Sequence, residues 1–169
     1  MSATISYDDF EATKPGETKP SQQQLNDGIR AVLEPGEPLT LTVTKPLEVS
    51  GGGGESAAPG AADQDYVIPF KLDIKVFSYE GEFKVKLGDK WSATVTVTVT
   101  VVGMISRTLR TEINYARAEH CQRLDLGTFA GTDLCVGMKM PRFCAYIKGK
   151  AWAIGQEAKF DETIKCIKS

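Results

Sequence analysis

The chain has 169 residues, 41% apolar and 25% charged, which suits one domain able to bury a sizeable core and excludes disordered and collagen-like classes. The net charge of −2 is unevenly spread: residues 1 to 66 hold 4 basic and 11 acidic side chains, 67 to 102 hold 5 and 4, and 103 to 169 hold 11 and 7. The mildly basic C-terminal part is too sparse for a nucleic-acid patch, so no nucleic acid is expected as a partner.

The opening stretch, MSATISYDDFEATKPGETKPS, has neither a basic n-region nor an apolar h-region, and no stretch of the chain reaches helical membrane-spanning length. The expectation is an intracellular chain or a processed secreted form. Residues 1 to 20 are polar and carry Lys14-Pro15-Gly16 and Lys19-Pro20, which predicts a flexible arm with little packing. Ser21 and Gln24 then stand at capping-box spacing, and Leu25, Ile29, Val32 and Leu33 follow at helical intervals. An amphipathic helix is predicted over 22 to 33, ended by Glu34-Pro35-Gly36.

Residues 39 to 49 alternate Leu39, Leu41 and Val43 with threonines, a half-buried strand in which Pro46 argues for an edge or a bend. The run SGGGGESAAPGAADQD, residues 50 to 65, reads as a flexible loop. Since 1 to 49 offer too little to fold alone, residues 21 to 169 are expected to form a single β domain.

From 66 onward the sequence reads as a β meander. Ile68, Phe70, Leu72, Ile74 and Val76 share one face, Glu80-Gly81 suggests a tight reversal, and Phe83, Val85 and Leu87 continue beyond it. Gly88-Asp89 marks the next turn. Trp91, Ala93, Val95, Val97, Val99 and Val101 then alternate with Ser92 and four threonines, and after Gly103 the alternation resumes over 105 to 115. Further strands are predicted near 120 to 128, 133 to 140 and 142 to 154, separated by Gly127-Thr128, Ala130-Gly131 and Pro141. Residues 156 to 168 fit either a short closing helix or a last strand. The predicted class is mainly β: an antiparallel sandwich or closed barrel of about eight strands with one N-terminal helix.

Catalytic chemistry finds little support. His120 is the one histidine, and its neighbour Cys121 points to the opposite face of a strand, so a thiol dyad would need Cys135 or Cys144 instead. The four cysteines, Cys121, Cys135, Cys144 and Cys166, allow three disulfide connectivities and lack CxxC spacing; neither a metal nor a cofactor is expected. The acidic pairs Asp8-Asp9 and Asp161-Glu162 read as solvated surface, and the glycine run 51 to 54 lacks the lysine of a phosphate loop.

The strand 142 to 154 is the best candidate for recognition. One face carries Cys144, Tyr146, Lys148, Lys150 and Trp152, the other the apolar Phe143, Ala145, Ile147 and Ala151. Aromatic rings beside hydrogen-bond donors suit a sugar ring or an acidic group on a protein; packing of the same rings against neighbouring strands is the plainer account. The expected function is therefore a non-enzymatic binding or interaction module for a carbohydrate or protein partner, through Tyr146, Lys148, Lys150 and Trp152. Two alternatives are a membrane-active protein inserting the hairpin 91 to 115, with Arg107 costly on its apolar register, and an apolar-ligand carrier with a barrel cavity lined by Phe70, Phe83 and Trp91.

Overall fold

A computed structural model describes residues 3–33, 38–43, 65–127 and 129–167. The two-residue alternation becomes four consecutive ten-residue antiparallel strands: β4 (Asp65–Ile74), β5 (Phe77–Lys86), β6 (Ser92–Val101) and β7 (Ile105–Asn114). In β6 every odd position, from Ala93 to Val101, is buried and every even one is partly exposed, as a pleated strand with one face on a core requires. A second meander follows in β8 (Glu119–Asp125), β9 (Ala130–Lys139), β10 (Cys144–Ala153) and β11 (Gln156–Cys166). The last of these answers the C-terminal ambiguity: 156 to 166 is a strand, because its alternate residues Phe160 and Ile164 bury against the core while charged neighbours face out.

Three shorter strands complete the sheets: β1 (Ala3–Ile5), β2 (Glu11–Ala12) and β3 (Leu41–Val43). One sheet has the order β1-β8-β9-β10-β11 and the other β2-β7-β6-β5-β4-β3. Among the described residues all pairings are antiparallel except β1 with β8. These are two separate sheets, each with its own edges, so the closed-barrel alternative is corrected. Neither meander returns to pair with its own first strand, and the sheets meet through side chains.

Those side chains form one shared core. Tyr79 of β5 sets its ring centroid 5.3 Å from that of Phe160 on β11. Its hydroxyl lies 2.6 Å from Thr132 Oγ1 on β9, and that hydroxyl donates to the Lys150 carbonyl at 2.8 Å. Burial, above all, holds the Tyr79 phenol well above its ordinary pKa, so it stays protonated and able to donate.

Helix α1 (Gln22–Val32) starts where the capping box stands: Ser21 Oγ accepts from the Gln24 amide, and Gln24 Oε1 accepts from the Ser21 amide. Leu25, Ile29 and Leu33 are buried in the core. The helix lies over one end of the sheets: Gln22 Nε2 donates to the Leu126 carbonyl, Gly28 abuts Met104, and Arg30 stands 4.5 Å from the Phe129 ring centroid.

Three expectations change. Residues 3 to 12, read from their polarity as an unpacked arm, bridge the two sheets through β1 and β2 and bury Ile5 and Phe10. Two apolar residues amid charges were enough, because each reaches an uncovered edge of the core. The reversal expected at Glu80-Gly81 falls instead at Lys75-Val76, with Lys75 at φ 38°. Placing it there turns Phe77 and Tyr79 inward, a burial worth about 1.5–3 kcal/mol for each large side chain. Gly81 is left inside β5 beside β6, where an added Cβ would collide with the Thr96 carbonyl oxygen. Gly131, also expected in a turn, lies in β9. The strand expected over 39 to 49 is described as β3 alone; Pro46 and the glycine-rich loop, up to residue 64, lie outside the described residues.

Gly81→Ala is expected to lower stability by about 1–3 kcal/mol in urea unfolding, the range for overpacking a filled site; a change within about 0.5 kcal/mol would contradict the close approach of β5 and β6. Tyr79→Phe should cost about 0.5–1.5 kcal/mol, one hydrogen bond. Thr132→Val, which leaves both the phenol and the Lys150 carbonyl without that partner, should cost about 1–3 kcal/mol, and the reverse ranking would mean that Thr132 does not link the sheets.

Candidate binding face

The five-stranded sheet turns one surface away from the core, and alternation decides what it carries. From β8 come Glu119, Cys121 and Arg123; from β9, Gly131, Asp133, Cys135 and Gly137; from β10, Tyr146, Lys148, Lys150 and Trp152; from β11, Glu157, Lys159 and Asp161. All four residues singled out in the sequence thus share one face, backed by Ala145, Ile147 and Ala151 in the core. Phe143 precedes the strand in a tight turn at φ 52° and packs edge-on against Trp91, centroids 5.9 Å apart.

Sharing a face does not make the four equally free. Tyr146 is 5% exposed. Its ring covers Gly137, its cross-strand neighbour, and its hydroxyl donates to Glu119 Oε2. Lys139 and Lys148 stand 4.9 and 5.6 Å from its centroid. Lys148 pairs with the same Glu119 Oε2 at 3.1 Å, and Lys150 pairs with Glu157 at 3.7 Å. Trp152 stays partly exposed. It lies across Gly131, whose missing side chain makes room for the indole, with Arg123 4.9 Å and Lys150 5.7 Å from its centroid. Arg123 is held in turn by Asp125 at 3.0 Å.

Two disulfides fix this sheet. Cys121 pairs with Cys135 across β8 and β9, and Cys144 with Cys166 across β10 and β11, each bridging residues directly opposite in register. All four cysteines are consumed, so the thiol nucleophile considered for His120 does not exist in this state. His120 faces away from Cys121, its Nε2 3.1 Å from Gln122 Oε1. Beside the first disulfide is a depression of about 420 Å³ lined by Cys135, Lys148, Gly149, Lys159, Phe160 and Asp161.

Glu119 is the electrostatic centre of the face. The hydrogen bond from Tyr146, first, and then the Lys148 ammonium hold its carboxyl below the usual range against the opposing effect of burial. Burial and the adjoining carboxylate together raise the Tyr146 phenol. Sequence reasoning missed Glu119, Arg123, Gly131 and Gly137. Each lies on another strand, and only the register brings it against the Tyr146–Trp152 row.

Compared with protein-family models, with curated proteins and with solved structures, the chain has no match.

Because the folded pKa of Glu119 is depressed, its tie to Tyr146 contributes stability above the ordinary glutamate pKa and loses it as pH falls through the lower, folded value. Carboxyl carbon NMR should show Glu119 titrating below the ordinary glutamate value, and Tyr146→Phe should move its midpoint up; an unmoved midpoint would mean that the phenol does not govern the carboxylate.

Proposed function

We propose that the protein is a non-enzymatic binding module, a two-sheet β-sandwich whose disulfide-stapled outer face recognises a carbohydrate. The observation that carries this reading is Trp152: a partly exposed indole laid across Gly131, rimmed by Arg123 and Lys150 and by the carboxylates that pair them. A sugar ring offers an apolar face of C–H groups to stack on an indole and hydroxyls that both donate and accept around its rim. Cations and anions alternate across this face, so it suits a hydroxylated ligand better than a polyanion. Lys148 and Tyr146 act in this reading as the frame, fixed through Glu119, while Lys150 and Trp152 make the contact.

The same surface can serve a protein partner, with Trp152 as the anchoring aromatic. The pairing of all four cysteines fits an oxidising compartment, where glycans and extracellular partners are met. The alternatives fit less well. Membrane insertion of 91 to 115 would draw Val95, Val97 and Val99 out of the shared core, and the carrier reading loses its barrel, with Phe70 and Phe83 packed ring to ring at 5.8 Å.

Titration of a glycan panel followed by tryptophan emission is expected to show a saturable change with at least one neutral glycan. Trp152→Ala should abolish it, while Trp91, buried in the core, keeps its emission. No response to any glycan, or a response that survives Trp152→Ala, would remove the carbohydrate reading.

A further inference from the structure

The Cys121–Cys135 disulfide has an unusual neighbour. Glu119 Oε2 accepts from the Tyr146 hydroxyl and pairs with the Lys148 ammonium, while Oε1 is turned to Cys121 Sγ at 3.5 Å. A disulfide sulfur bears no hydrogen, so this is a contact between two electron-rich atoms. Reduction by an external dithiol changes it: two electrons and two protons pass to the pair, the S–S bond breaks, two thiols form, and the reductant leaves as its own disulfide. The Cys121 S–H then points a donor at Oε1.

We propose that in this reduced state Glu119, Cys121 and Cys135 form a binding site for a zinc-class divalent cation. One carboxylate oxygen of Glu119 and the two sulfurs already lie within 4.8 Å of one another. Ligand atoms of a tetrahedral zinc with two thiolates and a carboxylate stand about 3.5–3.8 Å apart, given the usual Zn–S and Zn–O lengths, so Oε1 and Cys121 Sγ need little movement. Binding releases the two thiol protons to solvent, and water fills the fourth position. Two thiolates and one carboxylate exceed the charge of the cation by one, and Lys148 faces that excess. Tyr146 and Lys148, by bonding Oε2, orient Glu119 with Oε1 free, the part that outer hydrogen bonds to a ligating carboxylate play. All three ligand residues are partly exposed on the sheet's outer face, so the ion has an open approach. The site does not depend on the carbohydrate reading.

Cobalt(II) is the probe, added to the full chain after reduction by a phosphine and its anaerobic removal. The expected result is thiolate-to-cobalt charge-transfer absorption saturating at about one ion per chain, with none in the oxidised protein. Glu119→Gln, with both disulfides available for folding, should weaken the affinity about 10- to 100-fold, and the double variant Cys121→Ser/Cys135→Ser should lack the band. Absence of the band from the reduced wild type overturns the proposal. So does equal affinity in Glu119→Gln, persistence of the band in the double serine variant, or loss of β circular dichroism on reduction that cobalt does not restore.

Discussion

The sheets stay face to face because each buries its inward row against the other, and Tyr79 is where that burial becomes directional. Apolar contact between two pleated surfaces tolerates sliding, since one valine is much like the next. A phenol that must place its hydroxyl against Thr132, while Thr132 answers to the Lys150 carbonyl, fixes β5 over β9 and β10 at one setting. The cost of burying these polar groups without partners makes any other setting unfavourable. The side chains of Lys148, Lys150 and Trp152 project from the far side of the same strand, so the position of the outer face follows from this contact through the core.

The outer face is ordered by a different device. The five-stranded sheet has disulfides at two of its strand junctions, whereas the six-stranded sheet contains no cysteine. Gly137, between the two disulfides, and Gly131, beyond the Cys121–Cys135 one, let a phenol and an indole lie on the sheet instead of standing off it. A large ring resting on a cross-strand glycine covers backbone that would otherwise be wet, and it loses rotamer freedom before any ligand arrives. Arg123, Lys148 and Lys150 around the rings each stand in an ion pair, with Asp125, Glu119 and Glu157. The carbohydrate proposal and the reduced metal site draw on this same rigidity: the first needs an indole that does not move, the second a carboxylate with one oxygen already committed.

Much of this was legible in the residue pattern. Two-residue alternation from 66 onward marked the strands, and the row Cys144, Tyr146, Lys148, Lys150 and Trp152 did share a face with Ala145, Ile147 and Ala151 behind it. Turn placement was less legible. Glu80-Gly81 looks like a reversal because glycine is common in turns, but glycine also serves where two backbones come close, and composition alone does not separate the two uses. Ile5 and Phe10 were hidden among charges for a similar reason: two isolated apolar residues carry no period, and their burial depends on an edge supplied by strands a hundred residues away.

Residue order alone set which faces of which segments turn inward, because that is a local consequence of pleating and of the cost of exposing apolar side chains. It did not determine where the meander divides into two sheets, how the cysteines pair, or that Glu119 would meet Tyr146, Lys148 and Cys121. Those are questions of register between segments distant in the chain. They are decided collectively, when β8 through β11 settle into the one alignment that fills the core, completes the ladders and leaves no buried hydroxyl alone.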